Sequence, residues 1–428
     1  MIYKIPYGDS TLSIDLPQEQ VIYCALPNSP QTAPEPEGLT RAAFENPIGT
    51  PRLEDMLRAG MKVAILVDDA TRPTPKRFLL PYVLERLKQA GIPDSDVKLV
   101  VCLGTHRPLT QGELVSSLGQ EMLDRFKVVN HDYSDQSGYV SLGMTDSQIP
   151  VEILKEVAQC DFKIAIGNIV PHISAGWGGG AKMVQPGVCS EATTACTHII
   201  ACTKQNVLEV CANAENLCRH EIEKIAGMVG LDFIVNTVLD ERNRILGVFC
   251  GHYIKAHRAG ADFAGQVFCP KVPARADIVI ASANPAQIDF WQGCKPYIYA
   301  LYGLKPGGTL IFVIRAEEGL CGNAISHEET IKRFCRLPLE DVLEALESGE
   351  IEDLIGADTP IFLAQLREHG RVIVVSEGMT RQDAWYLCFD YAESLSQAVA
   401  EALERHGSRA TIGIIPYAGE TIVRPDKK

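Results

Sequence analysis

The chain has 428 residues, which exceeds what a single hydrophobic core usually serves, so two domains are expected. Hydrophobic residues make up 46% of the chain and charged residues 22%, which is the composition of a globular protein. The net charge is -14, and no apolar run approaches the roughly 20 residues that span a bilayer, so neither nucleic acid nor a membrane is an expected partner.

The cysteines and the N-terminus indicate a reducing compartment. The fourteen cysteines are scattered between Cys24 and Cys388 without a Cys-x-x-Cys pair. The N-terminus lacks the basic start and the apolar centre of a signal peptide. This combination is typical of buried thiols rather than of disulfides or a zinc site, and we expect a cytoplasmic protein.

The first part of the chain predicts a hairpin, a loop and then strands that alternate with helices. MIYKIPYGDSTLSIDLP contains two predicted strands around a Gly-Asp turn, and VIYCAL (21–26) is also strand-like. Residues 27–38 hold four prolines and are predicted to be loop. The apolar runs at 63–67, 97–103 and 162–166 have the length and branched side chains of buried strands.

Each of these three runs is followed closely by side chains that could take part in catalysis or ligand binding. After 63–67 come Asp69, Ala70, Thr71 and Arg72, after 97–103 comes His106, and after 162–166 comes His172. Ligands of open α/β sheets bind beyond the carboxyl ends of the strands. If the strands are neighbours in a parallel sheet, these residues meet in one crevice.

Residues 168–188, NIVPHISAGWGGGAKMVQPGV, combine His172 and Lys182 with a run of glycines. Glycines are favoured where another group must lie against the backbone. The phosphate-binding loop of nucleoside triphosphatases requires Gly-Lys followed by Ser or Thr, whereas Lys182 follows Ala181 and precedes Met183. The stretch therefore presents a lysine for anion binding or for covalent attachment of a cofactor.

The remaining chain predicts a helix at 191–201 that carries His198, a hairpin at 233–249 and a second unit that starts near residue 276. The predicted fold is α/β with two domains. A larger N-terminal domain (1–270) has a mainly parallel sheet, and a smaller C-terminal α/β domain covers 275–405. A last strand near 410–428 could return to the first domain. Gln292 and Lys295 lie in the second domain, and we expect the active site in the cleft between the two.

The collected side chains predict an enzyme that acts on a small acid. His106 and His172 can each accept and donate a proton near neutral pH, so a pair of them could serve both enantiomers of a substrate. Arg72 and Lys295 suit a carboxylate, because one offers a forked donor and the other a point charge.

Four motifs together resemble the nickel-pincer lactate racemase family: DDATRPTP (68–75), GTHRP (104–108), PHISAGWGGGAKMVQPGV (171–188) and WQGCKP (291–296). The resemblance implies a two-domain α/β racemase or epimerase of a small 2-hydroxy carboxylic acid, such as lactate or a related acid. It also implies a cofactor, the nickel complex of pyridinium-3,5-bisthiocarboxylate mononucleotide, called the nickel-pincer nucleotide.

The resemblance further implies a role for each candidate residue. Lys182 would bond the cofactor through a thioamide, His198 would ligate nickel, and His106 and His172 would be the acid/base pair. The cofactor contacts would come from Asp69, Ala70, Thr71 and Arg72, and the substrate contacts from Arg72, Gln292 and Lys295. The implied reaction removes the hydroxyl proton, transfers hydride from the α-carbon to the cofactor and returns it to the other face. Cofactor-biosynthesis proteins are the implied partners, and a homo-oligomer is a possible assembly.

Two other functions remain open at this point. Lys182 could form a Schiff base with a pyridoxal cofactor, but this gives no role to His198. The chain could also be a non-catalytic protein that binds small acids, which would need neither His106 nor His172. Within the resemblance, the lactate-specific members carry tyrosine where this chain has Trp291, so lactate is one candidate among 2-hydroxy acids.

Overall fold

The computed structural model describes residues 1–69 and 72–426. Its strands in chain order are β1 (Ile2–Tyr7), β2 (Ser10–Asp15), β3 (Val21–Cys24), β4 (Val63–Asp68), β5 (Val97–Cys102), β6 (Lys127–Val129), β7 (Tyr139–Met144), β8 (Pro150–Leu154), β9 (Phe162–Asn168), β10 (Pro171–His172), β11 (Gly176–Trp177), β12 (Phe233–Leu239), β13 (Ile245–Gly251), β14 (Lys271–Val272), β15 (Ala276–Ser282), β16 (Leu304–Val313), β17 (Gly370–Val375), β18 (Asp390–Tyr391), β19 (Ile412–Ile415) and β20 (Arg424–Pro425). Its helices are α1 (Pro36–Glu45), α2 (Leu53–Met56), α3 (Lys76–Gln89), α4 (Gln111–Leu118), α5 (Gln120–Arg125), α6 (Lys155–Ala158), α7 (Glu191–Thr203), α8 (Val207–Val210), α9 (Leu217–Val229), α10 (Lys255–Phe268), α11 (Phe290–Leu301), α12 (Ile325–Phe334), α13 (Leu339–Glu347), α14 (Asp358–Leu366), α15 (Arg381–Tyr386) and α16 (Leu395–His406).

The first sheet has the strand order β13-β12-β9-β4-β5-β6, with β12 and β13 antiparallel and the other neighbours parallel. Alternate side chains of β4 enter different cores: Ile65 packs with helix α3 on one face, and Leu66 packs with α9 on the other. A sheet that is covered on both faces favours continuous apolar strands, as the sequence predicted. Because β4 pairs with both β5 and β9, the carboxyl ends of these strands lie at one edge.

The second sheet is parallel throughout, in the order β18-β17-β16-β15-β19-β3. On one face Ile280 and Ile311 pack with α16 and with the hairpin of β1 and β2. On the other face Val279 and Phe312 pack with α11 and α14. The α/β fold class with parallel-rich sheets is therefore confirmed.

Two strands from near the two ends of the chain, β3 and β19, lie in this second sheet. Strand β19 pairs with β15 on one side and β3 on the other, so the suggestion that the last strand returns to the first domain is wrong. The placement of β3 also differs from the predicted N-terminal domain of 1–270. The physical reason is long-range: β3 covers an otherwise open edge of the sheet, and this pairing leaves no trace in the local pattern.

The predicted loop at 27–38 gives way to helix α1 earlier than expected. Pro36 occupies the first turn, where a missing N–H costs nothing. The Glu35 carboxylate caps the helix by accepting from the backbone N–H groups of Glu37 and Gly38. Glutamate is not among the residues that usually cap helices, so the sequence does not mark this helix start.

The two halves of the chain are packed together through α7 and α14. The side chain of Gln365 donates to the carbonyl of Cys202 at 2.7 Å. Ile173 and Val207 are buried in the core of the second sheet. Within residues 1–69 and 72–426, no helix is both long enough and apolar enough to cross a membrane.

Candidate active site

A cavity lies between the carboxyl edge of the first sheet and the helices α11 and α14. It brings together all the predicted site residues that the structure describes: Asp69, Arg72, His106, His172, Lys182, His198, Gln292 and Lys295. The predicted cofactor contacts Ala70 and Thr71 lie outside the described residues. The lining comes from both halves of the chain, since Gln292 and Lys295 belong to α11.

The end of β4 is held by a buried ion pair. Lys76 Nζ donates to Asp68 Oδ1 at 2.7 Å and to the carbonyl of Asp69 at 3.1 Å, and Thr74 donates to the Asp68 carboxylate. Burial raises the pKa of Asp68, and the Lys76 charge opposes that shift. These contacts fix the backbone from which Asp69 enters the cavity.

His106 is oriented by Asp69. Its Nδ1 lies 2.5 Å from Asp69 Oδ2, and the Asp69 side chain is buried. A carboxylate accepts hydrogen bonds, so the neutral imidazole carries its proton on Nδ1 and leaves Nε2 free to accept a proton. The Trp291 ring stands edge-to-face to the His106 ring at a centroid distance of 6.4 Å.

The glycines after β10 are required because neighbouring protein atoms leave no space for a side chain. A side chain at Gly176, which has a φ of 73°, would meet the Asn213 carbonyl oxygen at 1.8 Å, and one at Gly187 would meet the Met183 oxygen at 2.2 Å. At Gly179, with a φ of 67°, it would meet Asn236 Oδ1 at 2.9 Å. The expected close approach is therefore made by protein atoms.

Three buried side chains tie this glycine stretch to the first sheet and its helices. Arg219 on α9 donates to the carbonyls of Ala175 at 3.1 Å and Gly179 at 3.4 Å, and also to that of Trp177. His257 Nε2 contacts the Gly178 carbonyl at 2.8 Å, and Asn236 Oδ1 accepts from the Gly180 N–H at 2.8 Å. The loop is thus a fixed wall of the cavity.

His172 and Lys182 touch each other inside the cavity. The distance from His172 Nε2 to Lys182 Nζ is 2.9 Å. His172 Nδ1 accepts from the backbone N–H groups of Ser174 at 3.1 Å and Ala175 at 3.3 Å. Burial places the pKa of His172 well below its usual value. Burial and then the Arg219 charge do the same for the pKa of Lys182.

His198 reaches the cavity from α7. Its Nδ1 lies 2.9 Å from the Thr194 carbonyl, so Nδ1 carries the proton and Nε2 has a free lone pair. Burial lowers the pKa of His198, while the charge of Asp358 acts in the opposite direction. A neutral imidazole whose other nitrogen is fixed by a carbonyl is a suitable metal ligand.

Helix α11, which carries Gln292 and Lys295, is capped at its N-terminus by Asp289. Asp289 Oδ1 accepts from the Gln292 N–H at 2.7 Å, and Lys295 Nζ donates to Gln292 Oε1 at 2.6 Å. Burial, followed by the Arg72 charge, lowers the pKa of Lys295 to about 8. The Lys295 ammonium is therefore available to an anion at neutral pH.

Sequence reasoning did not single out three residues that the structure places at this site. Asn168 lines the cavity at the end of β9, and neither atom of its amide has a hydrogen-bond partner among the described residues. Asp358 and Thr359 line it from the start of α14. Asn168 directly precedes the glycine stretch and ends a buried strand, which is the available signal; α14 carried no motif.

Comparison with known proteins agrees with the motifs. The model for the lactate racemase N-terminal domain matches residues 7–209, and the model for the lactate racemase C-terminal domain matches 272–423. A lactate racemase from Lactiplantibacillus plantarum is 31% identical over 389 residues, covering 89% of each chain. A lactate racemase from Thermoanaerobacterium thermosaccharolyticum is 28% identical over 427 residues, covering 98% of this chain and 99% of the relative.

Solved structures show the same fold. The lactate racemase apoprotein from Thermoanaerobacterium thermosaccharolyticum aligns with a TM-score of 0.89 at 28% identity, covering 99% of this chain and 100% of that chain. A protein from Thermotoga maritima aligns with a TM-score of 0.69 at 17% identity, covering 92% and 97% of the two chains. The second likeness concerns the fold alone.

Proposed function

Because the chain belongs to the lactate racemase family and is an isomerase, we propose that it racemises or epimerises a small 2-hydroxy carboxylic acid, lactate or a related acid. The observation that carries the proposal is the cavity, in which proton-transfer groups and carboxylate-binding groups meet. In its neutral form His106 has a lone pair on Nε2, and Lys295 offers a charge at neutral pH.

The residues of the cavity fit the nickel-pincer nucleotide that the motifs imply. Imidazole nitrogen is a ligand that nickel accepts beside sulfur donors, and His198 would offer the lone pair of its Nε2. Lys182 would be the tether, and Asp69 and Arg72 would contact the nucleotide. The amide of Asn168, which has no partner among the described residues, leaves a donor and an acceptor for a ligand. When bound, this cofactor supplies an acceptor for the hydride of the α-carbon.

The chain's own residues would hold the substrate and move its proton. Arg72 and Lys295 would bind the carboxylate, and Gln292 would keep the Lys295 ammonium in place through its 2.6 Å hydrogen bond. His106 Nε2 would take the hydroxyl proton, and the buried Asp69 carboxylate would stabilise the imidazolium that forms. His172 would serve the oxygen from its own side of the cavity as the second member of the pair.

The proposal is tested with cofactor-loaded enzyme and a panel of single-enantiomer 2-hydroxy acids, scored by chiral chromatography. The panel includes acids larger than lactate, because Trp291 stands beside His106. We expect the opposite enantiomer or epimer to appear for at least one acid. His106→Ala should lower that rate by about 100-fold to 10,000-fold, since a positioned acid/base group contributes on that order.

His220→Ala is the matched control, because His220 lies at the surface and pairs with Glu215. Its rate should equal that of the wild type. If no acid of the panel is converted by enzyme that carries the cofactor by mass, the proposed function is wrong. A pyridoxal imine would instead be fixed by borohydride and contain no nickel.

A further inference from the structure

We propose that His172 has a second task in the apoprotein: it holds Lys182 as a neutral amine, so that the protein can form the covalent bond to its own cofactor. The inference rests on the proposed function for the identity of the cofactor. The state of the lysine rests on the hydrogen bonds of the apoprotein alone.

The first step of the argument is the position of the proton on His172. Nδ1 accepts from the N–H groups of both Ser174 and Ala175, so it carries no hydrogen. A neutral imidazole has one N–H, which must therefore be on Nε2. The backbone turn between β10 and β11 fixes this tautomer, since both donors belong to that turn.

The second step concerns the partner of that N–H. Lys182 Nζ lies 2.9 Å from His172 Nε2. An ammonium group has three donors and no acceptor, so it cannot receive a hydrogen bond from Nε2–H. The contact is satisfied only when Lys182 is a neutral amine whose lone pair accepts a hydrogen bond from Nε2–H.

The charges around Lys182 act in the same direction. The side chains that act on it electrostatically are Arg219 and Cys218 on α9, Lys295 on α11, and Arg72 in the segment after β4. Three of these four groups are cations, and no carboxylate is among them. Arg219 is fully buried and bonds backbone carbonyls under the loop, so its charge is not screened by water. An additional positive charge at Nζ is disfavoured by burial and by these neighbours.

A neutral lysine is a nucleophile, which is what attachment requires. The Nζ lone pair bonds the carbon of a thiocarboxyl group, and the carbon–oxygen bond of that group breaks. The oxygen leaves as water, with one proton from the amine and one from the thioacid, and sulfur stays in the thioamide. No oxidant or reductant is consumed. The thioamide nitrogen no longer offers a basic lone pair, so His172 Nε2–H is released to the substrate.

The test measures the reactivity of Lys182 in the apoprotein. Trace acetylation by acetic anhydride is followed across neutral and alkaline pH, and each lysine is quantified by peptide mass spectrometry. Lys88, an exposed residue in the last turn of α3, is the internal reference. We expect Lys182 to react at a clearly lower pH than Lys88. Equal profiles, or no labelling of Lys182 at any pH, would overturn the inference.

Two variants separate this role from a structural one. His172→Glu replaces the donor with a carboxylate that pairs with an ammonium, so the Lys182 profile should move at least one pH unit to the alkaline side, about tenfold in labelling at neutral pH. The covalent cofactor adduct should then no longer be detected by intact-mass spectrometry. His172→Gln keeps an N–H donor and should keep both the profile and the adduct.

The outcomes distinguish the two proposals. A His172→Glu profile identical to the wild type overturns the role of His172. Circular dichroism establishes that each variant is folded, and if His172→Glu does not fold, the wild-type comparison of Lys182 with Lys88 still decides. The labelling contains no substrate, so a normal Lys182 profile without turnover of any 2-hydroxy acid contradicts the proposed function alone.

Discussion

The amide of Asn168 is buried without using its hydrogen-bonding capacity. The residue is 3% exposed, and both Oδ1 and Nδ2 lack a partner among the described residues. A buried polar group left in this state costs about 1–3 kcal/mol. A ligand in the cavity that offers one donor and one acceptor recovers this cost, so Asn168 favours the occupied site over the empty one.

Replacing this amide should therefore separate stability from binding. We expect Asn168→Leu, which has the same number and branching of side-chain heavy atoms, to stabilise the apoprotein by about 1–3 kcal/mol, because the unsatisfied group is removed. The same change should weaken retention of the cofactor. Denaturant unfolding of the apoprotein measures the first effect, and the adduct fraction by intact mass measures the second.

Asn130→Leu provides the contrast, because the Asn130 amide makes both of its hydrogen bonds, to the N–H and the carbonyl of Leu109. That variant should lose stability. An Asn168→Leu apoprotein that is destabilised to the same extent would show that the native amide is satisfied in solution.

The residues that sequence reasoning found share a simple signal. His106 and His172 follow buried strands, and Lys182 lies close to a run of glycines, which disfavours a helix. Arg219 and Asp358 had no such signal, since each is an ordinary charged residue on a helix. Their relation to the cavity arises only from packing, Arg219 through carbonyls of the glycine stretch and Asp358 through the contact of α14 with α7.

At the scale of elements, the buried strands were predictable and their long-range partners were not. The runs that became β4, β5 and β9 are apolar and bounded by polar residues, and the Thr110–Glu113 capping box that opens α4 is present in the structure. Strand β3 also has the local pattern of a strand. Its pairing with β19 joins the two ends of the chain, and periodicity carries no information about such a partner.

The rigidity of the glycine stretch depends on helices that are distant in sequence. His257 on α10 is fully buried and packs against Gly180, and its Nε2 bonds the Gly178 carbonyl. Burial, followed by the Arg219 charge, places the pKa of His257 well below the usual histidine value. The buried ring is therefore neutral in the folded protein.

This arrangement predicts acid sensitivity. Below the ordinary histidine pKa the unfolded chain binds a proton that the folded His257 excludes, so the stability of the apoprotein should fall as pH falls through that value. The loss is about 1.4 kcal/mol per pH unit for each such group. His257→Gln keeps an N–H for the Gly178 carbonyl and removes the titration, so it should reduce the pH slope.

Unfolding of the wild type and of His257→Gln is followed by denaturant at several pH values. The two proteins should have similar unfolding free energies near pH 8. In acid the wild type should lose more of its unfolding free energy than the variant does. Parallel curves over the whole range would contradict a neutral His257 in the fold. His220→Gln, at an exposed site, should leave the slope unchanged.

At the scale of the whole molecule, the second sheet is completed by the start of the chain. The Tyr23 ring fills the space that side chains at Gly303 and Gly413 would need, because a Cβ atom added at these glycines would lie 2.4 Å and 2.1 Å from Tyr23 atoms. The Tyr23 hydroxyl also donates to the Gly303 carbonyl at 3.0 Å. The N-terminal and C-terminal halves of the chain are therefore not two independent folding units.

A fragment of residues 271–428 should consequently fail to unfold cooperatively, because the edge of β19 and the slot for Tyr23 are left open. The same fragment preceded by residues 1–26 and a flexible linker should show a cooperative transition by circular dichroism. Tyr23→Ala in the fused fragment should remove about 3–5 kcal/mol, the usual cost of deleting a buried aromatic ring. Cooperative unfolding of the unfused fragment would make the sheet independent of β3.

The cavity also depends on both halves, because Lys295 brings its charge from α11 to groups on the first sheet. Burial lowers the pKa of Lys295 to about 8, so the ammonium that would bind a carboxylate is present below that pH and lost above it. For cofactor-loaded enzyme we expect kcat/KM to fall on the alkaline side, about tenfold per pH unit once the proton is lost. The fall should appear mainly as an increase in KM.

Lys295→Gln should raise KM at neutral pH and abolish this alkaline limb. Lys305→Gln is the control, because it removes a lysine that is paired with Asp277, and it should retain the wild-type profile. An unchanged limb in Lys295→Gln would assign the proton to another group and remove Lys295 from substrate binding.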